Sequence, residues 1–123
     1  MPKQTLLLYD PHGAPWVPKL RQMCAIQGLR LRTVEDADLG RPVAALAEGL
    51  RPAGEVQPFP PIPEPVLVFC SVSSQQLDRL LQALRKMEVP RTCLKAVLTQ
   101  SNAQWPFYTL YEELSREREA MSG

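Results

Sequence analysis

Two short, continuous apolar runs constrain this chain most. The first lies within Thr5–Tyr9 and the second is Val66–Cys70. A strand that is apolar at every position is covered on both of its faces, whereas a half-exposed strand alternates apolar and polar residues. We therefore expect these runs to be central strands of one sheet, with helices on both faces.

The first run is followed by a helix, a strand and a short helix. The first helix is expected to begin at Pro15 or Pro18 and to stop at Gly28, a residue that readily takes a left-handed conformation. The alternating residues Leu29–Val34 predict a strand with one wet face. A short helix is predicted over residues 42–49.

The second run is followed by the same order of elements. Ser73 and Gln76 have capping-box spacing and predict the start of a helix that Val89-Pro90 ends. Residues 94–98 predict a strand, and Pro106 suits the first turn of a last helix. The residues expected on the buried helix faces are Val17, Leu20, Met23, Cys24 and Ile26, then Leu77, Leu80, Leu81, Leu84 and Met87, and finally Phe107, Leu110, Leu114 and Met121.

The two halves therefore read as a duplicated βαβα unit. Pro42–Leu46 aligns with Pro106–Leu110 at an offset of 64, and Leu7 aligns with Leu67 at an offset of 60. We predict one domain over residues 1–123, made of a first half at 1–50, a connector at 51–65 and a second half at 66–123.

Two sheet arrangements fit this order. In a ferredoxin-like α+β plan, the two βαβα halves form one four-stranded sheet whose first and third strands are central and antiparallel. The alternative is an α/β, three-layer sheet in which all strands are parallel. The twofold βαβ repeat favours the ferredoxin-like plan.

The connector is rich in proline. It contains Pro52, Pro58, Pro60, Pro61, Pro63 and Pro65. Because proline cannot donate a backbone hydrogen bond, we expect an extended, polyproline-like chain. It could serve as a stiff spacer or as a docking strip for a partner with aromatic grooves.

Composition bounds the function. The net charge is +1, and the basic and acidic residues balance in each half, 6 against 5 and 8 against 8. Such balance does not call for nucleic acid or an anionic membrane. The apolar runs fall short of the roughly 20 residues of a membrane span, and no signal peptide is indicated, so we expect a cytoplasmic protein.

Three widely spaced cysteines predict buried, reduced thiols. Cys24, Cys70 and Cys93 are odd in number and form no CxxC pair, unlike a secreted disulfide framework. We expect no cofactor and no bound metal.

The second half resembles a known family. The resemblance runs from Glu64 to about Met121, and the residues that carry it are Pro65–Phe69, Gln76–Leu81, Leu94–Thr99, Asn102, Trp105, Leu110 and Glu112–Leu114. It is similar to a bacterial family of domains of unknown function, the one numbered 3783. Gln100 and Pro106-Phe107 depart from the family's pattern. The resemblance implies no activity, cofactor or catalytic residue.

The polar turn between the last strand and the last helix is the best candidate ligand site. Its residues are Thr99, Ser101, Asn102 and Trp105, with Lys95 on the strand before it. The mechanical interpretation is that the polar side chains cap the helix and Trp105 covers the core. The functional interpretation is a pocket for a phosphate or carboxylate, which the helix amides and Lys95 would bind.

Cys70 raises the only catalytic hypothesis. It follows a strand and precedes a helix, a position that can activate a thiol. In an all-parallel sheet Asp10, His12 and Cys70 could meet as a metal site or a Cys–His pair, but in the ferredoxin-like plan they lie at opposite ends. The structural interpretation is that Cys70 is a buried thiol and that His12 lies in a polar turn.

We therefore expect a non-catalytic interaction or regulatory module that binds a protein partner or itself. Trp105, Tyr108, Tyr111 and a sheet edge are the candidate contact surfaces. The alternative is a domain that binds a small anionic ligand at Thr99–Trp105. Nucleic acid is not favoured, because the basic residues between Arg79 and Lys95 have no aromatic residues among them.

Overall fold

A computed structural model describes residues 4–51 and 56–122. The elements, in chain order, are β1 (Thr5–Tyr9), α1 (Val17–Gln27), β2 (Arg30–Thr33), a 3-10 turn (Asp36–Asp38), α2 (Val43–Ala47), β3 (Val66–Cys70), α3 (Ser74–Lys86), β4 (Leu94–Val97) and α4 (Phe107–Ser122). Every strand and helix predicted from the sequence is present. Pro52 and the side chain of Met121 lie outside what is described.

The four strands form one mixed sheet in the order β2-β1-β3-β4. β1 is parallel to β2, β3 is parallel to β4, and β1 is antiparallel to β3. The α+β class and the antiparallel central pair are confirmed, and the all-parallel alternative is wrong.

The strand order corrects the ferredoxin-like prediction. In that fold each βαβ unit is split, because a strand of the other unit lies between its two strands. Here β1 lies directly beside β2, and β3 lies directly beside β4. A crossover helix is enough to join adjacent parallel strands. The apolar pattern of a strand does not record which strand lies next to it.

Helices cover both faces of the sheet, as the apolar strands predict. Alternate residues of β1 and β3 point to opposite sides. One side packs against α2 and α4, through Leu7, Tyr9, Val66, Val68, Val43, Leu46, Phe107 and Leu110. The other side packs against α1 and α3, through Leu6, Leu8, Leu67, Phe69, Leu20, Cys24, Leu80 and Leu84.

The two halves are related by an approximate twofold axis. At the centre of the sheet Leu7 pairs with Val68, and these residues are 61 positions apart, as are the first residues of β1 and β3. A second antiparallel bridge joins Pro42 to Pro106, which are 64 apart. Equivalent positions meet at both points, as a twofold axis requires. The offset of 64 is confirmed, whereas the offset of 60 for the first strands is one residue short.

Backbone hydrogen bonds join the start of α2 to the second half of the chain and the start of α4 to the first half. The first amides of a helix have no partner inside that helix. Here the first two amides of each helix donate to carbonyls of the other half. The four bonds run from Val43 N to Trp105 O (3.0 Å), Ala44 N to Ala103 O (2.9 Å), Phe107 N to Arg41 O (3.0 Å) and Tyr108 N to Leu39 O (3.0 Å).

Two helix ends show how the local signals work. Gly28 ends α1 in a left-handed conformation at φ 72°. At the start of α3 the Ser73 hydroxyl accepts from the Gln76 amide at 3.1 Å. The Gln76 side chain does not complete a capping box but donates to Gln4 Oε1 at 2.9 Å. The predicted burial of Ile26 is wrong: its side chain is 77% exposed.

Within residues 4–51 and 56–122, no helix combines the length and apolar composition that crossing a bilayer requires.

Candidate functional site

Asn102 closes the loop that follows β4. Its Oδ1 accepts from the Thr99 amide at 2.8 Å, and its Nδ2 donates to Val97 O at 3.0 Å. Leu98 N donates to Phe69 O on β3. The carbonyl of Val97 and the amide of Thr99 therefore point the other way, out from the open edge of the sheet. The carboxamide of Asn102 thus occupies the place that the next strand would take.

The first half builds the same closure from different residues. Asp38 lies 64 positions before Asn102, and its Oδ2 accepts from the Glu35 amide at 3.1 Å. A carboxylate cannot donate to the outward carbonyl of Thr33, and Arg51 Nη2 bonds that oxygen at 3.2 Å instead. Arg51 also bonds both carboxylate oxygens of Asp38 at 3.1 Å.

Asp38 is held as a buried anion. Its side chain lies 3.1 Å from Arg41 Nε as well as from Arg51 Nε. Burial by itself raises the pKa of Asp38, but the bonds from Arg51, the Glu35 amide and Arg41 outweigh it, and the net shift is downward. Asp38 was not among the site residues predicted from the sequence. Its signal was the offset of 64, which places an Asp where the second half has Asn102.

The structure separates the residues predicted to bind an anion. Thr99 and Asn102 bond each other, and Trp105 packs against the α2/α4 side of the core. Lys95 is aligned with Leu67, whose side chain lies on the α1/α3 side. Lys95 Nζ donates to Cys93 O at 3.2 Å, and Ser101 is exposed.

The α4 amides that the anion-pocket hypothesis requires already have hydrogen-bond partners. The first two amides of α4, at Phe107 and Tyr108, donate to carbonyls near α2. A ligand at the Thr99–Trp105 loop would compete with those bonds. The anion pocket stays a prediction. The contacts agree with the mechanical interpretation only for Trp105, which packs against the core. The first two amides of α4 donate to backbone carbonyls and not to polar side chains of the turn.

Asp10, His12 and Cys70 do not meet. Tyr9, the last residue of β1, pairs with Val66, whereas Cys70 pairs with Thr5, so the two loops leave from opposite ends of the sheet. Burial raises the pKa of the Cys70 thiol to about 12. Among the described residues, no group of three or more His, Cys, Asp or Glu is arranged to hold a metal ion.

The end of the connector, residues 56–65, is a proline-rich strip without helix or strand that bends at Pro63 and Glu64. Each residue from 57 to 65 is a proline or precedes one, and both positions favour the polyproline region. Burial repeats every three residues, which is the repeat of a polyproline II helix: Val56, Phe59 and Ile62 are partly or fully covered. The exposed residues are Gln57, Pro58, Pro60, Pro61 and Pro63.

A hydrogen-bond relay pins the strip to the sheet. The Ile62 amide donates to the Tyr9 hydroxyl at 3.1 Å, and that hydroxyl donates to Asp36 Oδ1 at 2.5 Å. Burial, followed by the bond to Asp36, raises the pKa of Tyr9 to about 12. Ile62 itself is 1% exposed.

Further contacts hold the strip on either side of Ile62. The Phe59 ring stacks on Tyr108 with 4.8 Å between centroids. His12 Nε2 donates to Pro63 O at 2.9 Å. Arg118 pairs with both carboxylate oxygens of Glu64, at 2.7 and 2.8 Å.

An open cleft of about 710 Å³ lies beside the strip, at the carboxyl ends of β1 and β2. Pro61, Ile62 and Pro63 form part of its wall. Its charged lining consists of Asp10, Glu35, Asp36 and Arg21. Three carboxylates against one guanidinium give a formal charge of −2 when His12 is neutral. No sequence pattern predicted this cleft, because the cleft depends on the pairing of β1 with β2.

These features define a mixed α+β protein built from two paired βαβα units, with a proline strip anchored on its surface. Residues 65–121 match the model of a family described as Domain of unknown function (DUF3783). The resemblance noted in the second half is thereby confirmed, and the matched segment spans β3 to α4. Comparisons with curated proteins and with solved structures found no match.

Proposed function

We propose that this protein is a non-catalytic interaction module whose contact surface is residues 57–63 of the strip. One observation carries the proposal: the strip is fixed to the fold by Ile62 while its prolines stay exposed. A spacer needs only to span two halves. A segment that is both anchored and displayed is suited to recognition, because a partner need not pay to order it.

The state of the thiols supports the non-catalytic part. A reactive thiol needs a lowered pKa and access to solvent. Cys24, Cys70 and Cys93 are all free and buried, and burial raises the pKa of each to between about 11 and about 12. Reduced thiols are also the form that a cytoplasmic location favours, and we include that location in the proposal.

Site-specific photocrosslinking in the host cell tests the proposal. A photoreactive amino acid replaces Pro61 in the full chain, and the matched control carries it at Gln82, an exposed position on α3. We expect discrete adducts from position 61 that are absent from position 82. An adduct of twice the chain mass would identify a second copy as the partner. Equal adducts at both positions, or none at position 61, would contradict the proposal.

A further inference from the structure

We infer that Pro58–Pro63 is a preformed ligand for an aromatic-lined groove on another protein, and that a basic side chain of that partner enters the acidic cleft beside it. This inference rests on the proposed function and names the chemistry of its partner.

The strip presents two ridges of proline. In a polyproline II helix, residues three apart lie on one ridge. The ridge with Phe59 and Ile62 faces the protein's own core. The second ridge carries Pro58 and Pro61, and the third carries Pro60 and Pro63, all of them exposed. Aromatic grooves that bind polyproline segments take a Pro-x-x-Pro pair, and each free ridge supplies one.

The ligand is ordered before it binds. A free peptide loses conformational entropy when a groove immobilises it, which weakens binding. Here Tyr9 holds Ile62, His12 holds Pro63 and Arg118 holds Glu64. Because these bonds are made by the isolated protein, the partner meets the strip already in its bound shape.

The cleft sets the charge of the partner. Pro61 and Pro63 belong to the strip and also line the cleft. When the partner's groove binds these prolines, the rim of that groove therefore lies over the cleft. The carboxylates of Asp10, Glu35 and Asp36 outnumber the one guanidinium of Arg21. A basic side chain on that rim gains from this charge, and an acidic one is repelled.

A panel of purified SH3 and WW domains, chosen for basic residues at the groove rim, provides the probe. Each is titrated against the full-length protein, and the dissociation constant is measured by calorimetry. We expect at least one domain to bind with a dissociation constant of about 100 μM or tighter. The double variant P58A/P61A should weaken that binding about tenfold. P18A, an exposed proline in α1, is the matched control and should leave it unchanged.

A separate variant tests the acidic cleft. Glu35→Gln keeps an oxygen that can accept from the Asp38 amide but removes the charge. We expect binding to weaken about twofold to fivefold at low salt, and the difference from the unmodified protein to shrink as salt screens the cleft. Thermal melting of every variant confirms that it is folded. P60A/P63A repeats the test on the other ridge if P58A/P61A does not fold.

Two results would overturn the inference: a panel without a single binder, or binding that the proline variants leave unchanged. Adducts at position 61 together with an empty panel would sink this inference and leave the interaction module standing. If position 61 gives no adducts either, both fall.

Discussion

Asp38 and Asn102, 64 positions apart, occupy equivalent places in the two halves, and each closes the outer end of an edge strand. Each accepts from the outward amide that follows its strand, Glu35 in one half and Thr99 in the other. Asn102 also donates to the outward carbonyl, which in the first half needs Arg51. Unpaired backbone groups on an edge strand can pair with other chains. These side-chain bonds leave fewer such groups unpaired on both edge strands.

Replacing Asn102 should destabilise the protein. In N102A the Thr99 amide and Val97 O both lose their partner, and we expect the free energy of unfolding to fall by about 1–3 kcal/mol. N102D should also be destabilised, because a carboxylate cannot donate to Val97 O. Urea unfolding measures both. S101A, at the exposed neighbour, should change stability by less than about 0.5 kcal/mol. A neutral N102A would show that the closure adds nothing.

Asp38 should make stability depend on pH in acid. Its pKa is lowered in the folded state, so its contribution is fully present above the unfolded value of about 3.9. That contribution is lost as the pH falls through the lower, folded pKa. D38N should therefore be less stable than the unmodified protein at pH 7, by about 1–3 kcal/mol.

The gap between D38N and the unmodified protein should narrow as the pH falls below about 4. Urea unfolding at pH values from about 7 to about 3 follows it. A gap that stays constant over this range would mean that the ionised carboxylate is not what Arg41 and Arg51 stabilise.

Gly40 should tolerate no side chain. A Cβ at this position would collide with the backbone oxygen of Gln57 and with the Val56 side chain, where the strip passes the turn before α2. Because the collision involves backbone, G40A should displace the strip and cost about 1–3 kcal/mol. Thermal unfolding measures the cost, with E48A, at an exposed residue of the same region, as the control. A G40A protein as stable as E48A would refute this contact.

All three thiols should react slowly in the native protein. With pKa values of about 11 to 12, fewer than about one thiol in a thousand is ionised near pH 7. Mass spectrometry after treatment with iodoacetamide reports each cysteine separately, and urea-unfolded protein gives the rate for exposed thiols. Fast native labelling of Cys70 alone would reopen the catalytic hypothesis.

The sequence predicted local structure well because its signals are local. Gly28 and Ser73 mark helix ends through their own backbone and side chain. The apolar runs of β1 and β3 predicted helices on both faces, because burial of both faces leaves no polar position. Ile26 was misplaced because it is two residues beyond Cys24, about 200° around the helix from that buried side chain.

Long-range pairing was beyond the same signals. The strand order depends on which strands meet after the chain crosses the sheet, and many orders share one apolar pattern. Asn102 was interpreted as a helix cap, although its side chain bonds Val97 on the strand before it and the Thr99 amide just after that strand. The bond from Arg51 to Asp38 joins residues 13 apart in sequence, and no spacing rule predicts it.

The rigidity of the proline strip is the claim on which the account depends. Backbone ¹⁵N relaxation of the full-length protein measures it at the amides of Phe59, Ile62 and Glu64, which lie between prolines. The anchored strip predicts order parameters near 0.85, equal to those of β1, and slow exchange of the Ile62 amide because it donates to Tyr9. Order parameters below about 0.6 at these three amides, with rapid exchange at Ile62, would contradict the account, since the connector would then be a mobile spacer.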